Sequence, residues 1–288
     1  MDRGLAAALA SALGSPVAGA RPLSGGDIND AYDVTLDDGR TLFVKSNASA
    51  PADMFIAEAR GLAWLGEAKA LRVPAVVAAS GADDVTPFLA LEMIKQAPRE
   101  ANFDERLGRG LAALHRHGAR AFGLDHDNYV GRLPQANKFG VTWPEFYRVR
   151  RLGPQLKRAV DGGLASARMR RGFERLFATL DELCGPPEPP ARLHGDLWGG
   201  NLIGDEHGEP CLIDPAVYGG HREIDLAMMR LFGGFGGRVF AAYEEAWPLA
   251  HGHGERVPLY QLYPLMVHVN LFGGGYVGSV ESALAKLC

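Results

Sequence analysis

Cysteine is scarce in this chain. Of 288 residues only Cys184, Cys211 and Cys288 carry a thiol, too few and too scattered for a disulfide framework or a zinc site. Such usage fits a reducing cytoplasm. Charge of one sign is lacking as well: 30 Lys and Arg against 34 Asp and Glu leave a formal net charge of -4. With no polybasic footprint, nucleic acid is a poor partner, and any phosphate must be handled locally. No uninterrupted apolar run reaches membrane-spanning length, so no membrane partner is expected. The alanine-rich residues 1–20 end in Ala18-Gly19-Ala20, as a secretory signal does, but Asp2 cancels Arg3 and the required basic start is missing. Leu5, Leu9 and Leu13 instead recur every four residues, as one apolar stripe of a short helix. Apolar residues are present in ordinary amount. At 47% hydrophobic and 22% charged, the chain has the composition of a globular enzyme with a sizeable core.

Local signals divide the chain near residue 94 and predict an α+β, bilobal fold. The first lobe, 1–94, reads as a small sheet with one main helix. Pro22-Leu23 and Ala31–Val34 are strands around the Gly-rich turn Ser24–Asp30, and Asp38-Gly39 makes a hairpin to Thr41–Lys45. A helix follows from about Asp53 to Leu65, and Val76-Val77 and Phe88–Leu91 read as two more strands around Gly81–Asp84. The second lobe, 95–288, is mainly helical. Phe103, Leu107, Leu111 and Leu114 mark a helix ending at Gly118, and another spans Ala167 to Leu183. Ala191–Leu193 and Cys211–Ile213 flank a polar run and read as a pair of short strands carrying a loop. No internal repeat is visible.

That polar run holds the most specific string: His194-Gly-Asp-Leu-Trp-Gly-Gly-Asn201, followed by Ile213-Asp214-Pro215. Phosphoryl transfer from ATP needs a carboxylate at the acceptor hydroxyl and oxygen ligands for Mg²⁺ at the phosphates. Asp196 with Asn201 five residues on has the Asp-to-Asn spacing of a kinase catalytic loop, and Asp214 stands where protein kinases place the metal-binding aspartate of Asp-Phe-Gly. The predicted roles are Asp196 as base, with Asn201 and Asp214 holding metal. Each residue alone suits an Asx-type turn on a polar loop; the combination points to chemistry.

A second constellation lies upstream. Lys45 ends an alternating strand and Glu58 lies in the helix thirteen residues later, a pairing that suits binding of the α- and β-phosphates. A lysine at a strand end is otherwise simply solvated. Gly25-Gly26 in the turn one hairpin earlier is a weak phosphate-loop signal, because the full Gly-x-Gly-x-x-Gly pattern is absent. Glu92, Met93 and Ile94, where sheet gives way to helix, could offer backbone groups to adenine; otherwise they are a strand end and linker.

These strings, with Asp214–Met228, Leu231-Phe-Gly-Gly-Phe235, Asn128–Gly131 through Pro134–Asn137, Tyr260-Gln-Leu-Tyr263, and His268 with Leu271–Tyr276, resemble the fructosamine kinase family. That branch lies near the aminoglycoside and choline kinases, and the likeness runs from about Leu23 to Tyr276. The resemblance implies a protein-kinase-like fold and transfer of the ATP γ-phosphoryl to the 3-hydroxyl of a small-molecule or protein-bound ketosamine. The 3-phosphate then decomposes and frees the amine, which is deglycation. It also implies that Trp198 and His268 contact the sugar and that Asp225 braces the catalytic loop. Trp198 could equally pack the loop, His268 could be a core histidine, and Asp225 could be a helix cap. Asp27 stands where some relatives carry a redox-active cysteine, so thiol control there is not expected. Two rival readings stay open: phosphotransfer to an aminoglycoside or choline, favoured if Glu223, Glu244 and Glu245 gather near the base, and a pseudokinase without turnover. Oligomeric state is not legible.

Overall fold

In the computed structural model, residues 1–23, 29–81 and 86–287 are described. The Gly25-Gly26 pair and most of the Gly81–Asp84 turn lie outside them. The chain divides into two compact units: 1–103 with 203–214, and 104–202 with 215–288. The first unit thus takes in a returning segment that a single boundary at 94 does not contain.

The first unit opens with α1 (Arg3–Leu13), capped by the Asp2 carboxylate on the Leu5 N–H and closed by Gly14 in the left-handed conformation. Strands β1 (Val17–Leu23), β2 (Asp30–Leu36) and β3 (Thr41–Ser46) follow, then α2 (Met54–Glu67), β4 (Val76–Ala79) and β5 (Phe88–Glu92). They form one antiparallel sheet in the order β1-β2-β3-β5-β4. The two-residue period of a strand decides what each face meets. Leu42, Val44, Phe88 and Ala90 pack with Leu5 and Leu9 of α1 on one side. Leu89 and Leu91 pack with Phe55 and Leu62 of α2 on the other, with Phe43 against them. Strand β5 is therefore a continuous apolar run because both its faces are covered, and each fully buried Leu or Phe there contributes about 1.5–3 kcal/mol. The same alternation puts Lys45, two residues after Phe43, on the α2 face of β3.

The second unit is built on one large core. Helix α3 (Phe103–His117) buries Leu107, Leu111 and Leu114 and ends at Gly118, whose φ of 77° suits glycine. After it come a hairpin, β6 (Asn128–Val130) and β7 (Leu133–Gln135), then α4 (Trp143–Phe146), a π-helical turn over Tyr147–Leu152, α5 (Gly153–Asp161), α6 (Ala167–Leu183) and β8 (Ala191–Leu193). The chain then forms the hairpin β9 (Leu202–Gly204) and β10 (Pro210–Leu212), whose 203–214 stretch packs with the first unit. It returns as β11 (Tyr218–Gly220), α7 (Glu223–Leu231), α8 (Gly237–Ala246), α9 (His253–Phe272) and α10 (Val277–Leu287). The two short strands expected at 191–193 and 211–213 are found, as β8 and β10. Strand β8 pairs with β11, and β10 pairs with β9. Both partners are three-residue strands ending in glycine, with no periodicity to read.

Candidate active site

In the first unit, Lys45, Glu58 and Asp214 converge from β3, α2 and the end of the returning hairpin. Glu58 shares a helix face with Phe55 and Leu62, at i+3 and i+7, so the stripe that docks α2 on the sheet also aims its carboxylate at Lys45. Lys45 Nζ donates to Glu58 Oε1 at 2.8 Å and to Asp214 Oδ1 at 2.5 Å, and the residue is 6% exposed. Burial alone would depress its pKa; the two carboxylates outweigh that and push it up, so Lys45 is a fixed cation. Asp214 has φ 55°, a left-handed conformation that Asp tolerates better than most residues but that still marks local strain.

The returning hairpin is held by a residue the sequence did not single out. Arg72 Nη1 donates to Asp205 and Glu206, each at 2.8 Å, and the Arg72 carbonyl accepts from Leu212 N at 2.9 Å. Glu92 Oε1 lies 3.5 Å from the same guanidinium. Glu92 ends β5, and Met93 and Ile94 follow it as half-buried coil.

In the second unit, residues 194–201 leave β8 as a tight loop. Asn201 Nδ2 donates to the Asp196 carbonyl at 2.8 Å and to its Oδ2 at 3.2 Å, so five residues of loop close into one ring of contacts. With the Asn201 nitrogen so committed, a cation would meet its amide oxygen. Gly195 has φ 82°, and a Cβ there would lie 2.0 Å from the Ala216 carbonyl oxygen; no other residue fits.

Asp225 supports this loop from α7. Its Oδ2 accepts the His194 N–H at 2.8 Å and its Oδ1 the Gly195 N–H at 2.9 Å, while His115 Nε2 approaches Oδ2 at 3.2 Å. Tyr243 Oη lies 2.8 Å from His115 Nδ1, completing a buried chain the sequence did not reveal. Complete burial would raise the Asp225 pKa, but the His115 hydrogen bond and these N–H groups hold it below the usual carboxylate range. The helix-cap alternative is overturned: α7 has Arg222 at its N-cap and no side-chain cap there, because Asp225 spends its oxygens on the loop.

Trp198 is 42% exposed, and its ring folds over Gly200, where a Cβ would meet Cη2 at 2.2 Å. The same turn touches the next glycine pair: a Cβ on Gly199 would lie 3.3 Å from Gly234 Cα. Just before that pair, Phe232 packs on His268 with centroids 4.5 Å apart, and Phe272 and Tyr276 flank the imidazole at 5.4 and 5.0 Å. His268 Nδ1 meets the Pro264 carbonyl at 2.8 Å, and burial lowers its pKa. The neutral ring therefore donates through Nδ1 and keeps Nε2 as an acceptor. Glu223, Glu244 and Glu245 each face a basic partner: Arg256 at 2.6 Å, His253 at 3.9 Å and Arg109 at 3.0 Å.

Among the described residues, no three His, Cys, Asp or Glu side chains are arranged to hold a metal by themselves. Mg²⁺ does not require such a cage, since it keeps waters and is bound through one or two protein oxygens plus substrate phosphates. No described helix is long and apolar enough to cross a membrane.

The sequence matches the fructosamine kinase family over residues 1–288. A protein named probable ketoamine kinase from Synechocystis sp. is 38% identical over 272 residues, covering 92% of this chain and 89% of its own. The chloroplastic protein-ribulosamine 3-kinase of Arabidopsis thaliana is 38% identical over 264 residues, covering 91% and 80%. A crystal structure of a Thermobifida fusca protein, provisionally named fructosamine-3-kinase, superposes with a TM-score of 0.88 at 43% identity and covers 98% and 97%. More distant aminoglycoside and macrolide phosphotransferases share the protein-kinase-like α+β fold, and their likeness speaks for the fold alone. The chain belongs to the fructosamine kinase family.

Proposed function

We propose that this chain is an ATP-dependent ketosamine 3-kinase, acting on a free or protein-bound fructosamine or ribulosamine. The observation that carries the reading is the convergence of Lys45, Glu58 and Asp214 from three distant stretches of sequence onto one buried, charged cluster.

In this reading Lys45, directed by Glu58, binds the α- and β-phosphates, a role the sequence also suggests for Gly25-Gly26. The backbone at Glu92, Met93 and Ile94 meets adenine. Asp214 and the amide oxygen of Asn201 would hold Mg²⁺, which would supply neutralisation of the charge building on the phosphates. Asp196 accepts the proton of the sugar 3-hydroxyl as that oxygen attacks the γ-phosphorus and ADP leaves. Asn201 pins the Asp196 side chain, and Asp225 fixes the backbone under it, so the base needs little reorganisation. Trp198 offers an aromatic face to the apolar side of the sugar, and His268 Nε2 accepts from a hydroxyl. The 3-phosphate product then decomposes and releases the amine.

An aminoglycoside or choline would need carboxylates free to meet a cation. Glu223 is buried in an ion pair with Arg256 and is not free to do so, which weighs against that acceptor. The experiment is Asp196→Asn. The variant should fold and bind Mg-ATP as the parent does while kcat falls about 10²-fold or more, the usual scale for losing a positioned base. Parental turnover would remove Asp196 from the mechanism.

A further inference from the structure

Two stretches that the proposed chemistry leaves unused, 128–137 and 260–263, meet in one buried hydrogen-bonded network of the second unit. Gln135 Nε2 donates to the Ala216 carbonyl at 3.1 Å and to Asn128 Oδ1 at 2.8 Å. Asn128 Nδ2 donates to the Val217 carbonyl at 2.8 Å. Asn137 Nδ2 joins Asn128 Oδ1 at 2.8 Å, Arg151 Nη2 donates to Asn137 Oδ1 at 2.7 Å, and Tyr263 Oη donates to Gln135 Oε1 at 2.6 Å. None of Asn128, Gln135, Asn137 and Arg151 is more than 5% exposed.

Arg151 comes from the π-helical turn, a distortion often found at functional positions. Its guanidinium lies 3.7 Å from the Tyr218 ring centroid. Burying three amides and a cation is costly unless every group is directed, and apolar side chains would fill the space at less risk. What the arrangement yields is direction: Arg151 and Asn137 anchor it on the Ala136, Arg150 and His126 carbonyls, and Gln135 and Asn128 carry it to two consecutive carbonyls. Those carbonyls belong to the segment after Asp214-Pro215, which lies flush against the loop of Asp196. Ala216 N–H donates to the His194 carbonyl at 2.9 Å, and the Ala216 oxygen occupies the place a Cβ on Gly195 would need.

We propose that Gln135 and Asn128, tied down by Tyr263 and Arg151, are positioning residues: they set residues 216–217 against His194-Gly195 and thereby the direction of Asp196. The rate consequence rests on the kinase reading; the mechanical coupling rests on the geometry alone. Tyr263→Phe and Gln135→Met test it, with Tyr147→Phe as control, since Tyr147 makes a comparable buried bond to the Leu259 carbonyl at 2.9 Å. Both network variants should lose about 10- to 100-fold in kcat, the scale of a small misplacement, with KM for acceptor and for Mg-ATP nearly unchanged. The control should lose thermal stability and keep kcat. Hydrogen exchange should show the Gly195 and Ala216 amides opening faster in Gln135→Met than in the parent. Folded network variants with parental kcat, or unchanged exchange at both amides, would overturn the proposal. A parent chain that phosphorylates no ketosamine would refute the acceptor reading instead, and exchange would still decide the coupling.

Discussion

Asp225 Oδ1 accepts the backbone N–H of Gly195 at 2.9 Å, one residue before Asp196. Asp225→Asn keeps the shape but replaces one acceptor oxygen by a donor facing an N–H, and it removes the charge His115 answers. Leaving buried groups unpaired in this way should cost about 3 kcal/mol of stability, and kcat should fall as well. Thermal and urea unfolding alongside turnover check both. Parental values in each would show that Asp225 braces nothing.

Asp214 carries the proposed metal role and lies at the end of a hairpin that Arg72 holds. Asp214→Ala should abolish productive metal binding, because nothing adjacent in the sequence supplies a carboxylate. Titration with Mg²⁺ should find no concentration that restores the rate. Full rate at ordinary Mg²⁺ would show the assignment to be wrong.

A methyl group at Gly200 cannot coexist with the Trp198 ring in its observed place. The ring is exposed, so it can swing away at little cost to the fold. Gly200→Ala should therefore leave stability and Mg-ATP binding almost untouched while raising the acceptor KM by up to about ten-fold, the worth of one aromatic contact. An unchanged acceptor KM would return Trp198 to a packing role.

Acid should destabilise the protein through His221. Its ring stacks on Tyr260 with centroids 5.1 Å apart, and its Nδ1 accepts the Glu223 N–H at 3.3 Å. Burial lowers its pKa from 6.5 to about 4, against an opposing pull from Glu188. Between those two values the unfolded chain binds a proton that the folded chain refuses, so stability falls as pH falls, by about 3 kcal/mol across the window. His221→Phe keeps the stack and cannot take the proton. Its stability should change less from pH 7 to pH 4 than the parent's, as read from urea midpoints; parallel curves would contradict the assignment.

Much of this was legible because the signals were local. The sequence places helix α6 at Ala167 to Leu183, where the structure has it, since its apolar spacing is uninterrupted. Helix α9 was not read: Pro258 and Pro264 interrupt it, and ten of its residues are buried, so there is neither a clean start nor a polar face to reveal a helix. The Lys45 and Glu58 pairing could be inferred from strand alternation and helix spacing. Arg72 and His115 could not, because each acts on a group far away in sequence and carries no motif of its own; Gln135 and Tyr263 lie in strings that carry the resemblance, but nothing in those strings shows that the two meet.

The central claim is the acceptor, and the most direct measurement is ATP-dependent phosphorylation of small fructosamines and ribulosamines, beside choline and kanamycin, with phosphorus NMR locating the new phosphate. The account predicts phosphate on the 3-hydroxyl of a ketosamine. It also predicts rejection of both choline and kanamycin, reaching about 10⁴-fold for choline, which would leave buried polar groups arranged for sugar hydroxyls unpaired. Choline or kanamycin outperforming every ketosamine would contradict it.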